Sequence, residues 1–199
     1  MENRMEHGKF DLSDLAMQSG EFRLLENRII FVSDGINANV AKRVVSNLLA
    51  MESAKPSAPI TMYLNSPGGE VNSGYSIFDT IRFISSPVNI VASGLCASIA
   101  TVIFVATERA RRFSMPNTKF LIHQPLIMGQ IYGQASDIEI TAKEILKTRQ
   151  KINELLSQEC KQPIDKVAKD TTRDYWMSAS EALEYGLVTK IIENIKDLK

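Results

Sequence analysis

"ITMYLNSPGGEVNSGYSIFDTIRFISSPVNIVAS", Ile60 to Ser93, changes its structural period twice. Ile60 to Asn65 is an apolar run rich in β-branched and aromatic residues, the pattern of a strand. "SPGGEV" then supplies a proline and a double glycine, which end regular pairing. "SGYSIFDTIRFI" reads as a helix, and "VNIVAS" as a further strand. Strand, turn, helix and strand within this span make a βαβ unit, whose crossover is right-handed.

Working outward, the same rhythm continues on both sides. Upstream, "RIIFVS" (Arg28 to Ser33) reads as a strand, and "NANVAKRVVSNLLAMES" (Asn37 to Ser53) as an amphipathic helix with Val40, Val44, Val45, Leu48 and Leu49 on one face. Downstream, "CASIATVIFVAT" reads as a short apolar helix and "TKFLIH" (Thr118 to His123) as a strand. This alternation defines the α/β class with parallel strands. Beyond His123, "QPLIMGQIYGQAS" is a long connection or hairpin. From Asp137 to Glu159, Ile138, Ala142, Ile145, Ile152 and Leu156 follow three- and four-residue steps broken by Arg149, which predicts a helix over 137–159. At about 1.5 Å per residue it would be about 35 Å long. It is either a surface helix or one that projects to pack on a neighbouring subunit, since its stripe is close to a heptad. A short helix at "PIDKVAKD", a Ser-capped helix at "SASEALEYGL" and a strand at "VTKIIEN" follow. Residues 1–22 show no period and form an N-terminal arm, so 23–199 is expected to be one domain.

Composition narrows the function classes. The chain has 199 residues, of which 44% are hydrophobic, enough for one sizeable core. Lys plus Arg and Asp plus Glu both number 23, so no net positive charge favours nucleic acid. The apolar run Val88 to Ala106 is interrupted by Asn89, Ser93, Gly94 and Ser98 and falls short of a bilayer span, so no membrane partner is expected. "MENRMEHGKFDLSDL" lacks the apolar region of a signal peptide, and the expected location is cytoplasmic. Cys96 and Cys160 have no CxxC pattern and no neighbouring histidine, so neither a metal site nor a disulfide is expected.

Chemistry then depends on a few residues. The two histidines are His7, in the arm, and His123, at the end of an apolar strand, so His123 is the first candidate for a general base near neutral pH. A histidine at a strand end is also a common structural residue. Ser98 stands where the strand "VNIVAS" passes into an apolar helix. A nucleophile there gains from the positive end of the helix, and the amide of Ile99 lacks a helical acceptor. The plain alternative is a small residue that lets two elements approach. The neighbours of Ser98 do not form GxSxG, so the nucleophile-elbow motif gives no support. Gly68 and Gly69 could turn an amide into a site, although a strand-to-helix turn explains them equally well. The turn has no GK[ST] and is not a phosphate cradle. A carboxylate is needed to orient the imidazole, and "DTTRDYW" offers Asp170 and Asp174 without deciding between them. Cys96 is a rival nucleophile, which helical geometry would put on a different face from Ser98.

Taken together, "YLNSPGG" (Tyr63 to Gly69), "SGLCAS" (ending at Ser98), "FLIHQP" (Phe120 to Pro125), "GQASDIEI" (Gly133 to Ile140) and "RDYWMSASEALEYGLV" (Arg173 to Val188) resemble the ClpP family, the proteolytic subunits of the Clp serine endopeptidases. The similarity runs from about Leu24 to Glu193, with the motifs in the family's order. The resemblance implies a crotonase-like superhelix of βαβ units with a projecting handle helix, which is the segment from Asp137. It implies Ser98 as nucleophile, His123 as general base and Asp174 as the orienting acid, with the backbone amides of Gly69 and Ile99 as oxyanion hole. It further implies heptameric rings stacked in pairs around a chamber, unfolded polypeptides as substrates, and a hexameric AAA+ unfoldase as partner. ATP would be consumed by that partner, leaving no cofactor in this chain. The chain departs from the family in its arm, in a longer segment after "HQP" and in Thr61, where an aromatic residue is frequent. Two other functions are compatible with the sequence. One is a scaffold or regulatory subunit in a mixed ring with a paralogous subunit, and the other is a crotonase-like acyl-CoA enzyme.

Overall fold

The computed structural model describes residues 20, 22–126 and 133–198. The elements run β1 (Ile29–Val32), α1 (Ala38–Ala54), β2 (Ile60–Ser66), α2 (Val71–Phe83), β3 (Val88–Ala97) and α3 (Ile99–Phe104), followed by β4 (Arg112–Ser114) and β5 (Lys119–Ile122). After these come α4 (Ala135–Cys160), α5 (Ile164–Asp170), β6 (Tyr175–Ser178), α6 (Ala179–Tyr185) and β7 (Lys190–Ile191). The fold is α/β, as the alternation predicts. The parallel strands lie in the order β1-β2-β3-β4-β7, while β5 pairs with β3 and β6 runs antiparallel along β5.

Strand β3 organises this sheet because it changes partner midway. Ile90 to Ala92 pair with β4, and Leu95 to Ala97 pair with β5. Between the two halves the register against β2 jumps from Leu64↔Ala92 to Ser66↔Cys96, so β3 carries extra residues there. Extra residues in one strand bend it and raise its twist, which here frees the second half for a new neighbour. The bend needs Gly94, whose φ is 71°, and a Cβ there would come within 2.9 Å of Asn65 Oδ1. The Leu95 amide donates instead to that oxygen at 3.1 Å, so a side chain fills the gap in the ladder.

Helices α1, α2 and α3 cover the sheet with Leu48, Ile77, Ile103 and Phe104, which meet Met62 and Ile90 from the strands. All six residues of α3 are buried, and all but Thr101, whose hydroxyl is hydrogen-bonded, are apolar. Burying each side chain of this size stabilises the fold by about 1.5–3 kcal/mol. Helix α4 differs: its buried residues are Ile152, Asn153, Leu156 and Cys160, all in its C-terminal half. Towards its start Ile138, Ile140 and Leu146 are exposed. Its buried end is tied down by Glu159, which pairs with Arg82 at 2.5 Å and with the buried Arg112. The Glu159 carbonyl accepts from Arg109 at 2.6 Å and from Arg112 at 3.1 Å.

Four elements differ from the sequence reading. Cys96 and Ala97 belong to β3 rather than to the following helix, because they pair with Phe120 and Leu121 of β5. β4 was not expected, and β6 adds an antiparallel pair to a sheet expected to be parallel. The terminal strand shrinks to Lys190–Ile191. The arm expected at 1–22 lies almost wholly outside the described residues, as do positions 127–132 of the long connection.

Candidate active site

The register of three strands brings the candidate residues together. Ala97 is the last residue of β3 and pairs with Leu121, and the Ser98 amide donates to the Leu121 carbonyl at 2.9 Å. Ser98 therefore sits beside the end of β5. On the other side of β5 the antiparallel pair Ile122↔Tyr175 makes His123 and Asp174 the next residues out, facing each other. His123 Nδ1 lies 3.5 Å from Asp174 Oδ1, with the imidazole 12% and the carboxylate 62% exposed. Asp170 is engaged elsewhere, accepting from Lys166 Nζ at 2.7 Å and from the Tyr185 hydroxyl at 3.0 Å. Burial and that carboxylate hold the Tyr185 hydroxyl well above the ordinary tyrosine range. His7 lies outside the described residues.

Ser98 has φ 56° and ψ −128°, a conformation that a residue with a side chain rarely adopts. Such strain costs on the order of 1–3 kcal/mol and persists only where the surroundings enforce it. Here they do. Its amide is fixed by Leu121, and its carbonyl accepts from the Thr101 amide at 2.9 Å and the Thr101 hydroxyl at 2.7 Å. The chain thus turns sharply from strand to helix with the serine at the apex, the geometry of a nucleophile elbow reached without GxSxG. Since α3 has only six residues, its contribution is a free amide rather than a long helix dipole.

The double-glycine turn closes on this apex. Gly68 has φ 90°, and a Cβ there would lie 2.6 Å from Ser98 Cβ and 2.7 Å from the Ala97 carbonyl. Gly69 has φ 148°, and its Cβ would meet the Ile36 carbonyl at 2.2 Å. Both positions therefore require glycine for space as well as for backbone angle. Among the described residues neither the Gly69 nor the Ile99 amide donates a hydrogen bond to a backbone carbonyl outside the regular elements or to a side chain. Ser98, His123, Val71, Ile99, Ile122 and Pro125 line one small pocket, floored by Ile152 and Leu156 from α4. Cys96 is fully buried in the core, and burial raises its thiol far above the ordinary range, so it presents no nucleophile here. Among the described residues no group of three His, Cys, Asp or Glu side chains could hold a metal ion.

The sequence reading placed Gly68 in the turn but missed its contact with Ser98, and it missed the pocket residues of α4 altogether. The signal for Gly68 lay in the pairing of two glycines where one suffices for a turn. Ile152 and Leu156 carried no signal beyond their place on a helical stripe.

Fold and relatives together define the chain as a peptide hydrolase of the serine class. A family model described as Clp protease matches residues 16–195, and the chain belongs to that family. It is 45% identical over 196 residues to the ATP-dependent Clp protease proteolytic subunit 2 of Treponema denticola, covering 98% of this chain and 95% of the relative. It is 44% identical over 171 residues to the ATP-dependent Clp protease proteolytic subunit of Porphyromonas gingivalis, covering 86% of this chain and 76% of the relative. Among solved structures it is similar to a mutant ClpP1 from Listeria monocytogenes, with a TM-score of 0.82 and 41% identity over 89% of this chain and 98% of the other.

Proposed function

We propose that this chain hydrolyses peptide bonds of unfolded polypeptides through Ser98, His123 and Asp174. The observation that carries the reading is the register of β3, β5 and β6, which puts a strained serine, a histidine and a carboxylate in sequence at one sheet end. Ser98 Oγ attacks the carbonyl carbon of the scissile bond while His123 Nε2 takes its proton. Asp174, facing Nδ1, keeps the tautomer in which Nε2 is free to accept. The carbonyl oxygen becomes an oxyanion held by the amides of Gly69 and Ile99, and losing one such donor typically costs about 2.7–4 kcal/mol of barrier lowering. His123 then returns its proton to the leaving amine, and water, deprotonated in turn by His123, hydrolyses the acyl-Ser98 ester. The His123 to Asp174 separation of 3.5 Å is long for this role. Such bonds are often loose without substrate and tighten in the Michaelis complex.

Exposed Ile138, Ile140 and Leu146 on α4 support the pairing of two heptameric rings, with the active sites enclosed between them. Exposed Phe83, and Phe31 stacked on Tyr63 at 5.1 Å, support the docking of a hexameric AAA+ unfoldase that supplies the ATP-driven step. Among the described residues no helix is long and apolar enough to cross a membrane, and a cytoplasmic assembly fits this reading. A fluorophosphonate probe should label the assembled protein at Ser98, and Ser98→Ala should abolish both labelling and hydrolysis of short peptides without changing native mass. Absence of labelling with and without any partner sinks the proposal.

A second reading has a specific observation behind it. Relatives in Treponema denticola and Treponema pallidum are named proteolytic subunit 2, which points to a companion subunit. In a mixed ring this chain would hold its site inactive until a paralogue joins. Labelling that appears only after co-purification with that paralogue distinguishes the two.

A further inference from the structure

We propose that Ser66 is a positioning residue for the oxyanion amide of Gly69, an inference that rests on the role given to that amide above. Ser66 ends β2 and is fully buried, in a place where a hydroxyl is costly unless it is bonded. It is bonded twice. Its Oγ donates to the Asp34 carbonyl at 2.6 Å and accepts from the Gly68 amide at 3.2 Å. Both partners lie in connecting segments that have no ladder of their own, Asp34 after β1 and Gly68 after β2. Two residues past Asp34, the Ile36 amide donates to the Gly68 carbonyl at 2.7 Å, and the Ile36 carbonyl accepts from the Glu70 amide at 2.8 Å.

These four bonds surround Gly69. The amides before and after it are both engaged, and its own is left to point elsewhere. Pro67 cannot donate, so within the turn the Gly68 amide is the first group available to fix the orientation of the peptides that follow. Ser66 Oγ is the atom that joins this amide to the segment from Asp34 to Ile36. Without it, the Gly68 amide is left buried and unpaired, and the turn relieves that penalty by rotating. Rotation of the turn moves the Gly69 amide relative to Ser98, and catalysis by oriented dipoles is sensitive to such misplacement. Ser66 touches neither substrate nor reacting atoms; it acts through Gly68.

The test uses the assembled protein with a short chromogenic peptide and a peptide boronate, whose tetrahedral adduct with serine occupies the oxyanion site. Ser66→Ala should lower kcat about tenfold, less than the hundredfold or more of an outright lost donor, and leave KM within about twofold. Boronate affinity should fall by the factor lost from kcat/KM, and the pH midpoint of kcat should stay in place because His123 is untouched. Ser66→Cys, which keeps a weak donor and acceptor, should be intermediate. The proposal is overturned if folded Ser66→Ala keeps kcat within about twofold of the unsubstituted protein, if KM rises as kcat falls, or if the pH midpoint moves. It is equally overturned if both variants fail to fold, which would make the hydroxyl a structural group. A failure of the unsubstituted protein to react at Ser98 would count instead against the role given to Ser98.

Discussion

A methyl group at position 68 has no room beside Ser98. The ideal Cβ would lie 2.6 Å from a side-chain carbon and 2.7 Å from a backbone oxygen, and the φ of 90° is itself unfavourable for alanine. Either Gly68 or Ser98 would have to move, and Ser98 is the partner already under strain. Gly68→Ala should therefore lower stability by about 1–3 kcal/mol and reduce probe labelling of Ser98 by at least about tenfold. Thermal unfolding and labelling rate measure the two effects. A variant that unfolds early yet labels at full rate would show that the turn and the serine are not in contact in the working enzyme.

Among the elements, α4 depends on how its last turn is held. Glu159 is the shared partner of Arg82 and of Arg112, whose guanidinium is 1% exposed and whose burial lowers its pKa from the ordinary arginine value. Arg112 also donates to the carbonyls of Thr107 at 2.7 Å and Val105 at 3.1 Å, so removing Glu159 leaves it only partly satisfied. Glu159→Ala should destabilise by about 1–3 kcal/mol, since a buried donor loses its charged partner but keeps its carbonyls. Chemical unfolding checks this, and a change below about 0.5 kcal/mol would mean that the carbonyls suffice.

How legible these elements were in the sequence depends on whether their cause is local. β2, α2 and β3 were legible because Ile60 to Ser93 carries its own periods and its own breaker residues. Strand β4 was not, because Arg112 to Ser114 holds one apolar residue and is made a strand by Ile90 to Ala92 beside it. Cys96 looked helical because its apolar neighbours continue into α3, while its pairing with Phe120 lies in another segment. At the site, residue types and order pointed to Ser98 and His123. Proposing Asp174 rather than Asp170 rests on the family resemblance, on the β5 to β6 register and on the bonds that engage Asp170. The backbone angle of Ser98 was not legible, since beside the nearby Thr101 it is held by Leu121 and crowded by Gly68 from distant parts of the chain.

For the molecule as a whole, the bare half of α4 is the surface on which the proposed pairing of rings depends. Ile140 and Leu146 are 61% and 59% exposed, an apolar surface on a helix whose other half is firmly packed. If rings pair through it, Leu146→Asp should halve the native mass and lower peptide hydrolysis more than about tenfold while leaving the fold intact, because a desolvated carboxylate in such a seam is costly. Native mass spectrometry and circular dichroism separate assembly from folding. An unchanged mass would place the seam elsewhere on the chain.

The positive φ of Ser98 also bears on how such a chain would drift under selection. Glycine adopts that angle without strain, so the residue proposed for the chemistry is also one that the backbone would readily trade away. In a duplicated copy released from cleaving peptides, the pressure for stability and the loss of the nucleophile would point in the same direction. A serine at this apex thus carries a backbone cost that glycine would not, and under the proposed chemistry its hydroxyl is what offsets that cost.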